Sequence, residues 1–304
     1  MEVTGHQSRP GRVSVVIPTM HAADPRSLVD DLLTQQRSPV HELDEILLCV
    51  NSDRDMALAG PYTSPLISSI RALPVGSSYS ARNAGWTRAK SELVLFLDDD
   101  CRLSPGYLEG AVGCLVNGGF DAVAGQVRMP LGDDASAAEV WDSYKHLRNE
   151  LLVPNGVAVT ANLLVRRQLW EDVGLFPESR VSGADLEWTQ LLTTRGYRLG
   201  YCADAWVAHP PRKLRALLKK RVRIGRGQAQ AGKSAGELLR TSSPPWPSTI
   251  REAIRKASLQ LTLSRFAAVL LVAWASVIAT NLGRISCILR SRSIRNHRPG
   301  SRPA

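Results

Sequence analysis

The apolar run Leu93 to Leu97 ends in three consecutive carboxylates, Asp98, Asp99 and Asp100. Like charges this close repel, so they call for a compensating cation, a helix N-terminus or solvent. Carboxylates at alternate positions after a strand point the same way. Asp98 and Asp100 can therefore share one hard divalent cation. Mg²⁺ and Mn²⁺ favour such oxygen ligands, usually alongside phosphate oxygens, so a metal here would offset the repulsion and bind a diphosphate. Two further groups stand later in the chain. Asp185, in "SGADLEW", reads either as a helix N-cap or as a general base. His209, in "VAHP", reads either as a satisfied loop histidine or as a metal ligand.

The elements around these groups alternate between strand and helix signals. "RVSVVIPTM" is a β-branched run closed by Pro18, a buried strand followed by a loop. "DPRSLVDDLLTQQ" has a helical apolar period, with Asp24 at the N-cap and Pro25 at the first helical position. "DEILLCV" is a second strand, "SSYSARNAGWTRAK" a helix and "ELVLFL" a third strand. "SPGYLEGAVGCLVNG" is a helix and "DAVAGQV" a strand; residues 130–160 are loop-rich, with Trp141 and Tyr144 in a helix. "TANLLVRRQLWEDVG" returns to strand and helix, and "GADLEWTQLLTTRGYRLGYC" is a helix, a turn at Gly196 and a strand. This alternation predicts an α/β fold, Rossmann-like, with a mostly parallel sheet and helices on both faces. In such sheets ligands bind beyond the carboxyl ends of the strands, which is where the aspartates stand.

Charge divides the chain. Its net charge of +10 arises from residues 1–204 with 18 Lys/Arg against 26 Asp/Glu, and residues 205–304 with 20 against 2. Five scattered cysteines without a CxxC pair argue against a disulfide framework or a zinc site and fit a reducing compartment. The start of the chain, "MEVTGHQSRPGR", has no apolar core of a signal peptide, so the catalytic part is expected in the cytoplasm. "PRKLRALLKKRVRIGRGQ" interleaves cations with apolar residues, and "TSSPPWPS" reads as a linker. Residues 266–283 carry no charge and are bracketed by Arg265 and Arg284, at the threshold length for a transmembrane helix. No nucleic-acid module is visible. An anionic membrane surface accounts for both the cations and the apolar helix.

In order along the chain, "VSVVIPTM", "ARNAGWTRAKSELVLFLDDD", "TANLLVRRQLWEDVGLF", "GADLEWTQLLTTRGYRLGY" and His209 resemble a family 2 glycosyltransferase of the GT-A fold, over residues 12 to 228. The resemblance implies an inverting enzyme that needs Mn²⁺ or Mg²⁺ and moves a sugar from a nucleoside diphosphate donor to a hydroxyl acceptor. Pro18 and Thr19 would lie at the nucleotide pocket, and Arg82 and Asn83 would open toward the nucleotide. Asp98 resembles the ribose- or metal-facing aspartate, Asp99 lies beside it at the donor, and Asp100 resembles the metal ligand. Asp185 matches the catalytic base, and His209 a third metal or diphosphate contact. Arg223 and Arg226 would close over the diphosphate.

The sequence departs from that family's pattern at Val50, where relatives carry an aspartate near the base; Asn51 or Asp53 would have to substitute. Ala184 stands for the usual Glu before the base, and Leu191 for a frequent Arg. Trp141, Tyr144 and Trp188 are either packing residues or platforms for an acceptor. The expected organisation is a catalytic domain at 1–228, a linker at 229–248 and a basic helical tail at 249–304 that associates with a membrane. The acceptor would be a lipid-linked or cell-surface glycan precursor, with the enzyme on the cytoplasmic face of the cell membrane. The alternatives are a soluble transferase for a small molecule and an inactive GT-A scaffold subunit at the membrane.

Overall fold

The computed structural model describes residues 11–19, 25–50, 62–72, 77–232 and 246–296, the last with side chains to residue 290. The chain divides into two compact units. One comprises Met1–Met129, Leu147–Glu178 and Ala184–Pro210; the other comprises Pro130–His146, Ser179–Gly183 and Pro211–Ala304. Helix Leu214–Gln230 runs through residue 228, and the packing of that helix with the C-terminal helices groups them in one unit.

The first unit is a sheet with helices on both faces. In chain order it contains β1 (Gly11–Thr19), α1 (Arg26–Leu33), β2 (His41–Val50), β3 (Ile67–Arg71), α2 (Ser78–Arg88), β4 (Leu93–Leu97), β5 (Arg102–Leu103), α3 (Tyr107–Asn117) and β6 (Ala122–Arg128). After α4 (Ala137–Lys145), which belongs to the other unit, come α5 (Asn149–Leu152), β7 (Asn162–Arg166), α6 (Leu169–Val173), α7 (Ala184–Thr194) and β8 (Leu199–Ala208). The eight strands lie in the order β3-β2-β1-β4-β7-β6-β8-β5. The pairs among β3, β2, β1 and β4 are parallel, as is β6 with β8; β7 runs against both neighbours and β5 against β8. The sheet is thus mixed, with four of its seven strand pairings parallel, as the alternation of elements predicts.

Side-chain alternation sorts β1 onto two cores. Val13, Val15 and Ile17 face α1 and α3, packing with Leu28, Leu32, Leu108 and Leu115. Val16 faces α2 and α7, packing with Trp86, Phe96, Phe176 and Trp188. At Gly85, α2 lies so close to the sheet that a Cβ there would stand 2.5 Å from Val16 Cγ1 and 2.7 Å from Cys49 Sγ. Pro25 caps α1 rather than opening it; Asp24, the expected cap, lies outside the described residues, as do Asn51 and Asp53.

The second unit contains α4, α8 (Leu214–Gln230), α9 (Pro247–Lys256) and α10 (Leu263–Asn296). Trp141, Leu217, Ile250, Ile254, Val269 and Ala273 form its core. Beneath them, Asp142 is fully buried and accepts from the Arg212 backbone N–H at 2.9 Å, with His146 Nδ1 2.5 Å and Lys220 Nζ 3.8 Å away. Burial, Lys220 and Arg221 hold the His146 imidazole down to about 3, while His146, Lys220 and Arg212 hold the Asp142 carboxyl far below the usual carboxylate range against its burial. Helix α10 is much longer than the 266–283 run, because its apolar pattern continues to Leu289.

Candidate active site

The three aspartates follow β4, a strand buried along its whole length between β1 and β7. The chain then forms only two residues of strand, β5, before turning into α3. Those two residues decide the site. Arg102 and Leu103 pair with Ala208 and Val207 at the end of β8, Ser104 N–H donates to Trp206 O at 3.1 Å and His209 N–H donates to Arg128 O at 2.8 Å. The pairing sets His209 beside Asp98 and Asp100, more than a hundred residues away in sequence.

His209 is buried, 1% exposed. Its Nδ1 lies 2.8 Å from Pro210 O, a contact that takes the ring proton on Nδ1, so that in the neutral ring Nε2 is the acceptor. That Nε2 is 3.3 Å from Asp100 Oδ1 and 3.9 Å from Asp98 Oδ2. It has no hydrogen-bond partner among the described residues. A buried lone pair facing two carboxylate oxygens is unfavourable unless a cation lies among them. One ligand atom from each of the three residues falls within 4.8 Å of the others, a spacing and a donor set of two oxygens and one imidazole nitrogen that suit Mn²⁺ or Mg²⁺.

Arg82 neutralises the other side of the cluster. Its Nη2 donates to Asp98 Oδ1 at 2.5 Å, so Asp98 offers Oδ2 toward His209. Arg82 is buried, and its guanidinium carbon stands 5.9 Å from the centre of the Tyr79 ring. The Tyr79 hydroxyl in turn donates to Asp185 Oδ1 at 3.2 Å, and Asp185 Oδ2 accepts from Thr160 N–H at 3.4 Å. Asp185, Tyr79, Arg82 and Asp98 thus form one connected path from the candidate base to the candidate metal site. Asp185 lies in the first turn of α7, inside the helix rather than at an N-cap position, and is half-buried. Sequence reasoning missed Tyr79 and Thr160, which carry no motif of their own.

The remaining expected residues have the following surroundings within their own units. Asn83, expected to open toward a nucleotide, is buried: its Nδ2 donates to Phe176 O and Glu178 Oε1, each at 2.9 Å, and its Oδ1 accepts from Phe176 N–H at 3.0 Å. Every hydrogen-bonding atom of its amide group is therefore engaged within the protein. Trp188 is a core residue, its ring centre 5.1 Å from that of Trp86 and its Nε1 donating to Gly174 O. Trp141 is buried in the core of the second unit, where Tyr144 stacks on it at 6.0 Å and donates to Glu252. Arg223 and Arg226 lie on α8 of the second unit, Arg223 exposed and Arg226 within 3.3 Å of Ser286 Oγ. Pro18 and Thr19 are buried at the end of β1, and Asp99 is half-buried. A cleft of about 590 Å³ in the second unit is lined by Pro130, Ser136, Glu139, Lys213, Leu214 and Val272 and by none of these residues.

The model of the family described as Glycosyl transferase family 2 matches residues 14–174. The glycosyltransferase AglE of Haloferax volcanii is 32% identical over 296 residues, covering 92% of this chain and 97% of AglE. Among solved structures, the mannosyltransferase PcManGT from Pyrobaculum calidifontis, in complex with GDP-Man and Mn²⁺, superimposes with a TM-score of 0.56 at 19% identity, over 98% of this chain and 78% of that one. The fold is that of the GT-A glycosyltransferases. With both the family model and a relative of nearly equal length in agreement, the chain belongs to glycosyl transferase family 2 and is a glycosyltransferase.

Proposed function

We propose that the chain is a metal-dependent, inverting glycosyltransferase that moves a sugar from a nucleoside diphosphate donor to a hydroxyl on a lipid-linked glycan precursor, at the cytoplasmic face of a membrane. The observation that carries this reading is the buried Nε2 of His209 facing Asp98 and Asp100. Bound there, Mn²⁺ or Mg²⁺ would neutralise the diphosphate as negative charge develops on it. Asp98, Asp100 and His209 would hold the ion, Arg82 would fix the rotamer of Asp98, and Pro18, Thr19 and Asp99 would line the donor side.

Asp185 is the base. Its carboxylate takes the proton of the acceptor hydroxyl as that oxygen attacks the anomeric carbon. The bond from that carbon to the diphosphate oxygen breaks on the opposite face, so the configuration inverts and no covalent enzyme intermediate forms. Tyr79 and Thr160 hold the carboxylate in place for this transfer. The membrane reading is supported by α10, whose stretch Leu263–Arg290 is long and apolar enough to cross a bilayer, and by the basic second unit. Similarity to AglE supports the transferase activity.

Calorimetry with UDP, GDP and dTDP, with and without Mn²⁺, on wild type and Asp100→Ala, tests the donor site. Binding of one nucleotide that needs both the metal and Asp100 supports the reading. Equal binding without metal, or unchanged binding in the variant, refutes it.

A further inference from the structure

Helix α10 has its polarity inverted. From Leu271 to Leu289 its exposed residues are Leu271, Trp274, Ile278, Leu282, Ile285, Ile288 and Leu289, all apolar, with Leu271 70% and Ile278 57% exposed. Its inward face over the same window carries Ala273, Ser276, Ala279, Thr280, Gly283 and Arg284, all buried, with the hydroxyls and the guanidinium among them. A helix that buries its hydroxyls and a guanidinium while presenting leucines and isoleucines outward is matched to an apolar surrounding.

The inward face is locked to α8. A Cβ on Gly225 would stand 2.0 Å from Thr280 O, and one on Gly283 would stand 2.1 Å from Val222 O. The two backbones are therefore in direct contact. Arg284 donates to Gln228 Oε1 from Nε at 3.1 Å and from Nη2 at 2.7 Å, and Arg221 Nε donates to Ser276 O at 3.4 Å. These contacts run in the same direction along both helices, so residues 221–228 of α8 lie beside residues 276–286 of α10. That is the middle and the second half of the apolar stretch. Helix α8 is strongly cationic: Arg215, Lys219 and Arg223 form an exposed stripe at four-residue spacing.

This pairing decides how the helix meets a bilayer. Were α10 to cross, Arg221 beside Ser276 and the cations flanking it would be carried to mid-bilayer, where charged side chains are strongly disfavoured. Resting on the bilayer surface, the apolar stripe enters the acyl chains while the cationic helix stays at headgroup level, where an anionic surface attracts it. Trp274 on the stripe suits that depth. We propose that α8 and α10 form a monotopic membrane-docking surface: the stripe Leu271–Trp274–Ile278–Leu282–Ile285–Leu289 lies in the plane of one leaflet, and α10 does not span. The occupant of the stripe is lipid hydrocarbon. This inference rests on the membrane reading above and adds its geometry.

The test attaches a nitroxide to Leu271→Cys, Ile278→Cys and Ile285→Cys, one at a time, in the full chain carrying Cys287→Ser, with that parent subtracted as background. Each labelled protein is floated with vesicles of phosphatidylcholine plus phosphatidylglycerol and with phosphatidylcholine alone, and nitroxide depth is read from oxygen against nickel-chelate accessibility. The expected result is flotation that is stronger on the anionic vesicles, with all three labels at a common depth of about 5–10 Å. A crossing helix would instead spread the first and third labels by about 21 Å at the helical rise, and such a spread overturns the monotopic geometry while leaving membrane association intact. Absence of flotation overturns both, and a concentration-dependent dimer in its place would assign the stripe to a second copy of the chain.

Discussion

Replacing His209 with phenylalanine isolates the contribution of one ring nitrogen. The ring volume is kept, so the buried cavity stays filled. Two things are lost: the bond from Nδ1–H to Pro210 O, worth about 1 kcal/mol for a neutral pair, and the Nε2 lone pair that faces Asp100 at 3.3 Å. Removing that acceptor-against-acceptor contact offsets part of the first loss, so without metal the variant should melt within a few degrees of wild type. With Mn²⁺ at a hundred times its dissociation constant, the wild-type protein gains about 2.7 kcal/mol by linkage, a rise of about 5 °C for a chain of this size. The variant keeps only two carboxylates and should show almost none of that rise. The assay is a pair of melting curves, with Mn²⁺ and with chelator, for each protein. If His209→Phe keeps the full Mn²⁺-dependent rise, His209 is not a ligand. If it melts far below wild type in chelator, the histidine is structural and the metal argument from its orphaned Nε2 fails.

Other outcomes are expected elsewhere. Arg82→Gln breaks a mostly buried ion pair with Asp98, itself a quarter exposed, and should lower unfolding free energy in urea by about 2–3 kcal/mol. Tyr79→Phe removes the hydroxyl donor to Asp185 and should lower kcat about tenfold with the donor KM unchanged, since the charged partner loses one bond worth about 1.5 kcal/mol; a rise in KM alone, with the full rate regained at saturating donor, would refute its positioning role. Gly225→Ala drives a Cβ into Thr280 O, cannot be relieved by a rotamer change, and should cost about 1–3 kcal/mol, with earlier proteolytic cutting of α10. His146 titrates near 3 in the folded protein, below its ordinary value of 6.5. The unfolded chain therefore binds the extra proton first, and stability should fall as pH drops from about 6.5 toward 3; His146→Gln should flatten that part of the melting profile.

Much of this site was legible in the residues. The aspartates at the end of an apolar strand, the helix opening at Asp185 and the late histidine are type-and-position signals, and they survive because strand ends and helix starts are local events. The partners are another matter. Strand β5 is two residues long, too short for any periodic pattern, yet its pairing with β8 is what joins Asp100 to His209. Strand β3 is mostly exposed, so it lacks the apolar run that reveals β1 and β4. The reversed direction of β7 leaves no mark on its sequence, because a buried strand reads alike in either direction. Asn83 and Trp188 resemble binding residues by type, and only their three-dimensional neighbours show that one fastens the 176–178 loop and the other fills the core. The apolar stretch of α10 was visible, but its inverted polarity was not, because the inward face is defined by α8 rather than by α10 itself.

The two-residue strand β5 also sets an order in time. At a synthesis rate of about 5–20 residues per second, the aspartates leave the ribosome about 6–20 s before His209 and the end of β8. Throughout that interval the nascent chain holds three adjacent carboxylates without β8 and His209 beside them. Arg82 is already present, made before Asp98 and delivered by a helix that packs on strands synthesised earlier still. Its guanidinium can therefore neutralise the cluster from the first moment the parallel half of the sheet forms, whereas β8 must close a loop of about a hundred residues to arrive. Of the two side chains beside Asp98, the arginine is made first and the histidine last.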